Sequence, residues 1–247
     1  MQRRFRAYLV IVGSSAHVIY NDLVALGQRS TAFEKVVVVS PESQKLQQLV
    51  TLERGLVNCP LVLLTDEGLG VYHAYNLALG FLYSCETTFK VQFVNSGDTL
   101  LPFPAWLWGL YVTIPTHLMG SYFLTVGSVS YLRRYNSSVV QLHTGAICFF
   151  LQSLDNLYFD QNDSVYADGA FIARALPNGV VFMPFWVEFS YGGISTVPKF
   201  DMVRKLFAEK SAKRYRYLIK FLCRLILRET LYLRIFLMKN LYQRRET

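Results

Sequence analysis

The chain of 247 residues predicts an α/β protein, in which a mostly parallel central sheet flanked by helices is followed by a basic amphipathic helical tail. Three observations carry that prediction. Short runs of Val, Ile and Leu alternate with helical patterns through the first hundred residues, and the connections between them are short. The runs lack strict in-out alternation, as expected of strands buried on both faces. Charge is also partitioned. Residues 202–247 carry thirteen Lys or Arg and three Glu, net +10, while the rest carries twelve basic and fourteen acidic residues, net −2. A nearly neutral domain over 1–200 therefore precedes a basic tail over 201–247. With 52% hydrophobic and 15% aromatic residues, disorder is excluded, and the length admits one full-sized core or two small domains.

The elements follow in order. Tyr8–Val12 reads as a first buried strand rather than a signal peptide, because its apolar run is short and Gly13-Ser14-Ser15 leads into polar helical residues. A helix at Asn21–Gln28, the strand Lys35–Val39, a helix near Glu42–Leu49 and the strand Leu61–Leu64 come next. Tyr72–Tyr83 reads as a helix and Val91–Val94 as a fourth strand. Beyond Pro104, a helix bearing Trp106 and Trp108 precedes β-like runs at Leu118–Val126 and Ser128–Arg134, with Gly127 at the turn. The uncharged stretch Ala105–Val126 contains Pro115 and His117, so it reads as a helix and a strand and not as a membrane span. Ala146–Leu151 is strand-like, Asp155–Asp163 an acidic loop, Ala167–Leu176 a helix ended by Pro177-Asn178-Gly179, and Val180–Met183 a strand before the Gly192-Gly193 corner. From Lys205 onward the helical pattern is long. Cys59, Cys85, Cys148 and Cys223 form no CxxC pair and no zinc-type spacing, so they read as separate thiols in a reducing compartment.

In a parallel sheet ligands bind outside the carboxyl ends of the strands, which directs attention to 13–15, 40–43, 65–70 and 95–98. Asn95-Ser96-Gly97-Asp98 follows the strand run VQFV directly. A carboxylate on such a turn can hold Mg²⁺ or Mn²⁺ against a diphosphate, since magnesium favours one or two carboxylates plus phosphate oxygens; the same four residues are also good turn chemistry. Gly70 opens a helix whose first amides could face an anion, with Asn76 one turn on reaching back to the same cleft; the alternative is a helix start with Tyr72 and Tyr75 in the core. Asp168 begins a helix after the acidic loop and suits either a cap or a general base. His143 precedes an apolar strand and is either a cleft histidine or a core polar group.

The order and spacing of these signals resemble one family. Gly70–Pro102, GVYHAYNLALGFLYSCETTFKVQFVNSGDTLLP, resembles the family 2 glycosyltransferases of the Rossmann-like GT-A fold, whose pattern there is Gly-Ile-Tyr-Asp-Ala-Met-Asn, a helix, then Leu-Asn-Ser-(Gly/Asp)-Asp. His143–Arg174 looks like the same family, and Glu188–Thr196, EFSYGGIST, is similar to the closing segment of colanic-acid-type exopolysaccharide and O-antigen glycosyltransferases. The resemblance implies that Asp98 binds the metal and the donor diphosphate, that Asp168 is the base of an inverting reaction, and that His143 is a cleft histidine. Ser14, Ser40, Asp66, Tyr72, Asn76, Ser96 and Gly97 fall at positions that would line the donor site. It departs from the family in four places: Ser14-Ser15-Ala16 replaces the first-strand Thr-x-Asn, Ser40 stands where an acid is expected, Thr65-Asp66-Glu67-Gly68 replaces Ser-Glu-x-Asp, and His73 replaces an Asp.

Arg216, Lys220, Arg224 and Arg228 recur every four residues, while Leu218, Phe221, Leu222 and Leu225 lie on another side. That pattern reads as a membrane-surface helix, with packing on the same chain or a partner as the alternative. Nucleic acid is a poorer partner, because the interleaved residues are aliphatic and no base-reading motif is present. The expected activity is transfer of a sugar from a nucleotide sugar, a uridine diphosphate sugar, to a lipid-linked (undecaprenyl diphosphate) glycan. It would take place at the cytoplasmic face of the inner membrane with a divalent cation, in capsule, O-antigen or exopolysaccharide synthesis. The competing expectations are a non-catalytic sugar-nucleotide-binding or scaffold protein of the same pathway, and a nucleotidyltransferase.

Overall fold

The computed structural model describes residues 4–27, 32–52, 55–100, 109, 111–126, 129–133, 143–162, 167–176, 180–190, 200–208, 210, 214–226 and 242–243. The sequence-predicted features at Trp106, Trp108, Gly127, Tyr166, 177–179, 191–199, Arg228 and 231–237 lie outside them. In chain order the elements are β1 (Ala7–Val12), α1 (Ala16–Leu26), β2 (Lys35–Ser40), α2 (Ser43–Leu52), β3 (Leu61–Thr65), α3 (Val71–Cys85), β4 (Thr88–Asn95), β5 (Thr99–Leu100), β6 (Leu118–Val126), β7 (Val129–Arg133), β8 (Ile147–Gln152), α4 (Ala167–Ala175), β9 (Val181–Ser190), α5 (Phe200–Ala208), α6 (Arg214–Ile226) and β10 (Tyr242–Gln243).

The chain divides into two compact units. The first comprises Met1–Ser121 and Asn136–Glu188, the second Tyr122–Tyr135 and Phe189–Thr247. In the first, β3, β2, β1 and β4 lie side by side and parallel; β8 runs antiparallel to β4, and the start of β6 pairs with β8. All six residues of β1 are buried, as the uninterrupted AYLVIV run requires of a central strand covered on both faces. Register decides what the edge looks like. Val12 pairs with both Val39 and Asn95, and Ser40 pairs with Thr65, so four strands end in one row. The order 3-2-1-4 reverses between β1 and β4. That is the switch point at which open α/β sheets leave a crevice.

α1 starts at Ala16, five residues before the helix read from the sequence. Ser15 takes an extended N-cap conformation, and the Ala16 amide donates to Glu42 Oε2 at 2.8 Å, so one orphan amide of the first turn finds a partner from α2's leading loop. Its buried face is Ala16, Ile19, Leu23 and Leu26, the spacing that helical periodicity demands.

An aromatic cluster joins α3, β4, β8 and α4. Phe159 stacks on Phe171 with ring centroids 4.0 Å apart, Phe93 meets Tyr75 at 4.8 Å and Phe159 at 5.5 Å, and Phe149 meets Phe171 at 5.1 Å. Each such pair adds about 0.5–1.5 kcal/mol beyond area burial. Phe171 sits one turn after Asp168, so the cluster fixes where that carboxylate stands.

In the second unit β6 and β7 form a hairpin, with Leu124 opposite Tyr131, and β10 adds to β7. Phe200 of α5 meets Phe221 of α6, and Phe207 meets Tyr215. The single long helix expected from Lys205 is instead two helices. Lys210 between them has φ +50, in the left-handed region that a continuous helix does not contain. No helix among the described residues is long and apolar enough to cross a membrane.

Candidate active site

The Asp98 turn is built at the β1/β4 switch point. After Asn95, the Ser96 amide donates to the Val12 carbonyl at 2.7 Å, and the Asp98 amide closes the turn on the Asn95 carbonyl at 2.9 Å. Gly97 holds φ +91, which suits glycine at the third position of a turn. Its amide donates to Asp22 Oδ2 at 3.0 Å, and the Ser96 side chain also hydrogen-bonds Asp22. Burial pushes the Asp22 carboxyl up, while the Gly97 and Ser96 donors pull it down. Gly13 must be glycine here, because a Cβ would lie 2.3 Å from Ser96 Cβ. Asn95 Oδ1 accepts from the Tyr75 hydroxyl at 2.7 Å. Asp98 itself is half-exposed, three residues beyond the end of β4, and Gly97 and Ser14 are exposed.

Asp168 comes to the same region from the other side. It is the second residue of α4 and half-buried. The Tyr72 hydroxyl hydrogen-bonds it, and burial followed by the Asp168 charge holds that phenol protonated. Tyr75, fully buried, is likewise pushed well up by burial first, then by the charges of Asp168 and Asp98. Tyr75 therefore feels both carboxylates, one from the end of β4 and one from the start of α4.

His143 is placed by a separate network. Gln92 of β4 accepts from the Tyr111 hydroxyl at 3.1 Å and donates to the Gly145 carbonyl, which ties the turn at 144–146 to the sheet. The Gly145 amide donates to His143 Nδ1 at 3.2 Å. Burial lowers the His143 pKa, with Asp168 opposing, so the neutral ring carries its proton on Nε2.

The remaining donor-site positions have partners inside the protein. Ser40 is fully buried and its Oγ accepts from the Glu42 amide at 3.1 Å. Asp66 lies 2.7 Å from His73 Nδ1, so the acid and the histidine that depart from the family pattern are paired with each other. Asn76 exchanges two hydrogen bonds with the Phe159 backbone, at 2.9 and 2.8 Å, bracing the segment that carries the aromatic stack. Sequence reading missed Asp22, Gln92 and the Asp66–His73 pair. Asp22 had a signal: it stands three residues after Ile19 and beside Leu23, at the margin of α1's buried face.

Among the described residues no three His, Cys, Asp or Glu side chains gather as a metal cage. A hard divalent cation shared with a diphosphate needs only one or two carboxylates from the protein, and Asp98 is a half-exposed carboxylate beyond the end of β4. A cavity of about 410 Å³ lined by His117, Gln152, Asp155 and Arg174 lies elsewhere, since Gln152 pairs with Thr88 at the opposite end of β4.

In the second unit, Arg216 is exposed and Lys220 half-buried, with burial and then Arg216 lowering the lysine's pKa; the Arg224 side chain and Arg228 lie outside the described residues. α6 nevertheless exposes Tyr215, Ile219, Leu222, Leu225 and Ile226, whereas Leu218 and Phe221 are half-buried. The exposed apolar face is thus rotated from the one read in the sequence.

No protein-family description matches the chain, and no curated protein matches it. Solved structures do. The chain is similar to S. aureus TarS 1–349 in complex with UDP, with a TM-score of 0.55 and 15% identity over 94% of this chain and 75% of that one. It is similar to S. aureus TarS at 0.53 and 16%, over 94% and 46%, and to GalNAc-T7 with UDP, GalNAc and Mn²⁺ at 0.52 and 10%, over 90% and 50%. The chain thus spans about half the length of those last two. The likeness is one of fold, and the expected fold is the observed one: this chain has the GT-A fold.

Proposed function

We propose that the chain is an inverting glycosyltransferase of the family 2 type, using a nucleotide sugar with a uridine diphosphate leaving group. The observation that carries this reading is the placement of Asp98 on the turn that follows β4 at the switch point, where open α/β sheets bind their ligands. UDP is bound in two of the similar structures and Mn²⁺ in one, which supports the choice of donor class and cation. Ser14, Ser96 and Gly97 would line the diphosphate, and Asp98 would hold Mg²⁺ or Mn²⁺ against it. When bound, that cation neutralises charge on the departing diphosphate. Asp168 would take the proton of the acceptor hydroxyl as its oxygen bonds to the anomeric carbon and the bond to the UDP oxygen breaks. Tyr72 would hold the carboxylate in place through its hydroxyl.

The acceptor in this reading is a lipid-linked glycan, and the second unit brings the chain to an anionic leaflet at the cytoplasmic face of the inner membrane. The supporting observations are the exposed apolar face of α6 and the net charge of +10 after residue 201. The test is a panel of nucleotide sugars offered with and without Mn²⁺, read as UDP release with a lipid-linked acceptor. Metal-dependent release abolished in Asp168→Asn is expected. Binding with no turnover for any donor or acceptor would favour the non-catalytic sugar-nucleotide-binding role instead.

A further inference from the structure

We propose that Asp22 is a positioning residue for Asp98, fixing the strand-end turn in the one orientation that holds a divalent cation with a diphosphate; this rests on the role given to Asp98 above. The turn's own hydrogen bond joins the Asp98 amide to the Asn95 carbonyl and leaves the Gly97 amide without a partner inside the turn. Turns of this kind have two forms that differ by a flip of the central peptide, here Ser96–Gly97, and the positive φ of Gly97 marks the form with glycine at the third position. Glycine tolerates either form. The choice must come from outside, and Asp22 supplies it by accepting from the Gly97 amide at 3.0 Å and from the Ser96 side chain. α1 is in turn fixed by its buried face and by the Ala16 amide on Glu42. The carboxylate that reaches the turn therefore sits on a rigid element, and Asp98 inherits that rigidity. Groups that orient a ligating side chain typically cost about 10–100-fold in metal affinity when removed.

The experiment is calorimetric titration of UDP into the full chain with and without Mn²⁺, for the unchanged protein, Asp22→Ala, Asp22→Asn and Asp98→Ala, with melting followed in parallel. Asp22→Ala is expected to weaken Mn²⁺-dependent UDP binding about tenfold or more and to leave metal-free binding as it was. Asp22→Asn keeps an oxygen to accept the Gly97 amide and is expected to bind close to the unchanged chain. Asp22→Ala binding as well as the unchanged protein would overturn the inference, as would equal losses in Asp22→Asn and Asp22→Ala. If Asp98→Ala also binds normally, or the unchanged chain shows no Mn²⁺-dependent UDP binding, the role of Asp98 itself falls and this inference with it.

Discussion

Asp168 separates a cap from a catalyst at the level of one side chain. An acidic residue in the first turn of a helix contributes modestly through the helix dipole, about 0.3–1 kcal/mol when exposed. In the function proposed above Asp168 has a second task, for which the hydrogen bond from the Tyr72 hydroxyl would hold it. Asp168→Asn is expected to retain Mn²⁺-dependent UDP binding and to lower turnover by about 10²–10⁴. An Asn variant that melts earlier yet keeps its specific activity would reduce Asp168 to a cap. At this scale the sequence was legible where a strand end needs turn residues, as at 95–98, which form a turn closed from the Asp98 amide to the Asn95 carbonyl with Gly97 at positive φ. It was opaque where the partner lies far along the chain. Nothing near Gly97 announces Asp22, 75 residues away, and nothing near Asn76 announces the Phe159 backbone. The Asp66–His73 pair was visible only as two departures from a pattern, because their contact depends on β3 and α3 folding back on one another.

Two elements carry predictions of their own. At the β8 edge His117 Nδ1 accepts from the Phe150 amide at 3.1 Å, and burial, with Lys90 adding and Asp155 opposing, takes its pKa from 6.5 down to about 4. The folded chain thus keeps the ring neutral while the unfolded chain takes up a proton below about 6.5. Stability from this group is full above about pH 6.5 and is lost as pH falls toward about 4. His117→Asn retains an acceptor for the Phe150 amide without the titration. Its melting temperature should fall less steeply over that range than that of the unchanged chain, and parallel curves would contradict the assignment. In the second unit, α6 presents Tyr215, Ile219, Leu222 and Ile226 at helical spacing on its open face. Each basic residue near an anionic leaflet adds about 1 kcal/mol. Ile219→Glu with Leu222→Glu should therefore abolish co-sedimentation with vesicles containing anionic lipid, and high salt should weaken binding of the unchanged chain. Equal sedimentation of both proteins would leave α6 as a packing element. Periodicity revealed an amphipathic segment here, but not which stripe faces outward. The burial of Tyr217 decides the rotation of the helix, and one aromatic among many gave no sign of being the anchor.

For the whole molecule, the alternation of β-branched runs with helical patterns was enough to read a parallel sheet. The ends of β1, β2, β3, β6, β7 and β8 fall within a residue of those read, whereas β4 starts three residues earlier, at Thr88, and β9 runs to Ser190, seven residues past Met183. The reason is physical: a strand buried on both faces has few sequence solutions, as KVVVV and AYLVIV illustrate. Strand order was not legible, yet it places the crevice between β1 and β4 and so brings Gly13 against Ser96 and Asp22 against Gly97. The central claim is that this crevice binds a nucleoside diphosphate through Asp98 and a divalent cation. It is tested most directly by titrating UDP into the full chain in Mn²⁺ and again in chelator, for the unchanged protein and for Asp98→Asn. The account predicts binding that needs Mn²⁺ in the unchanged chain and is lost in Asp98→Asn at the same folded stability. Binding of equal strength in both proteins, or binding indifferent to the metal, would contradict it.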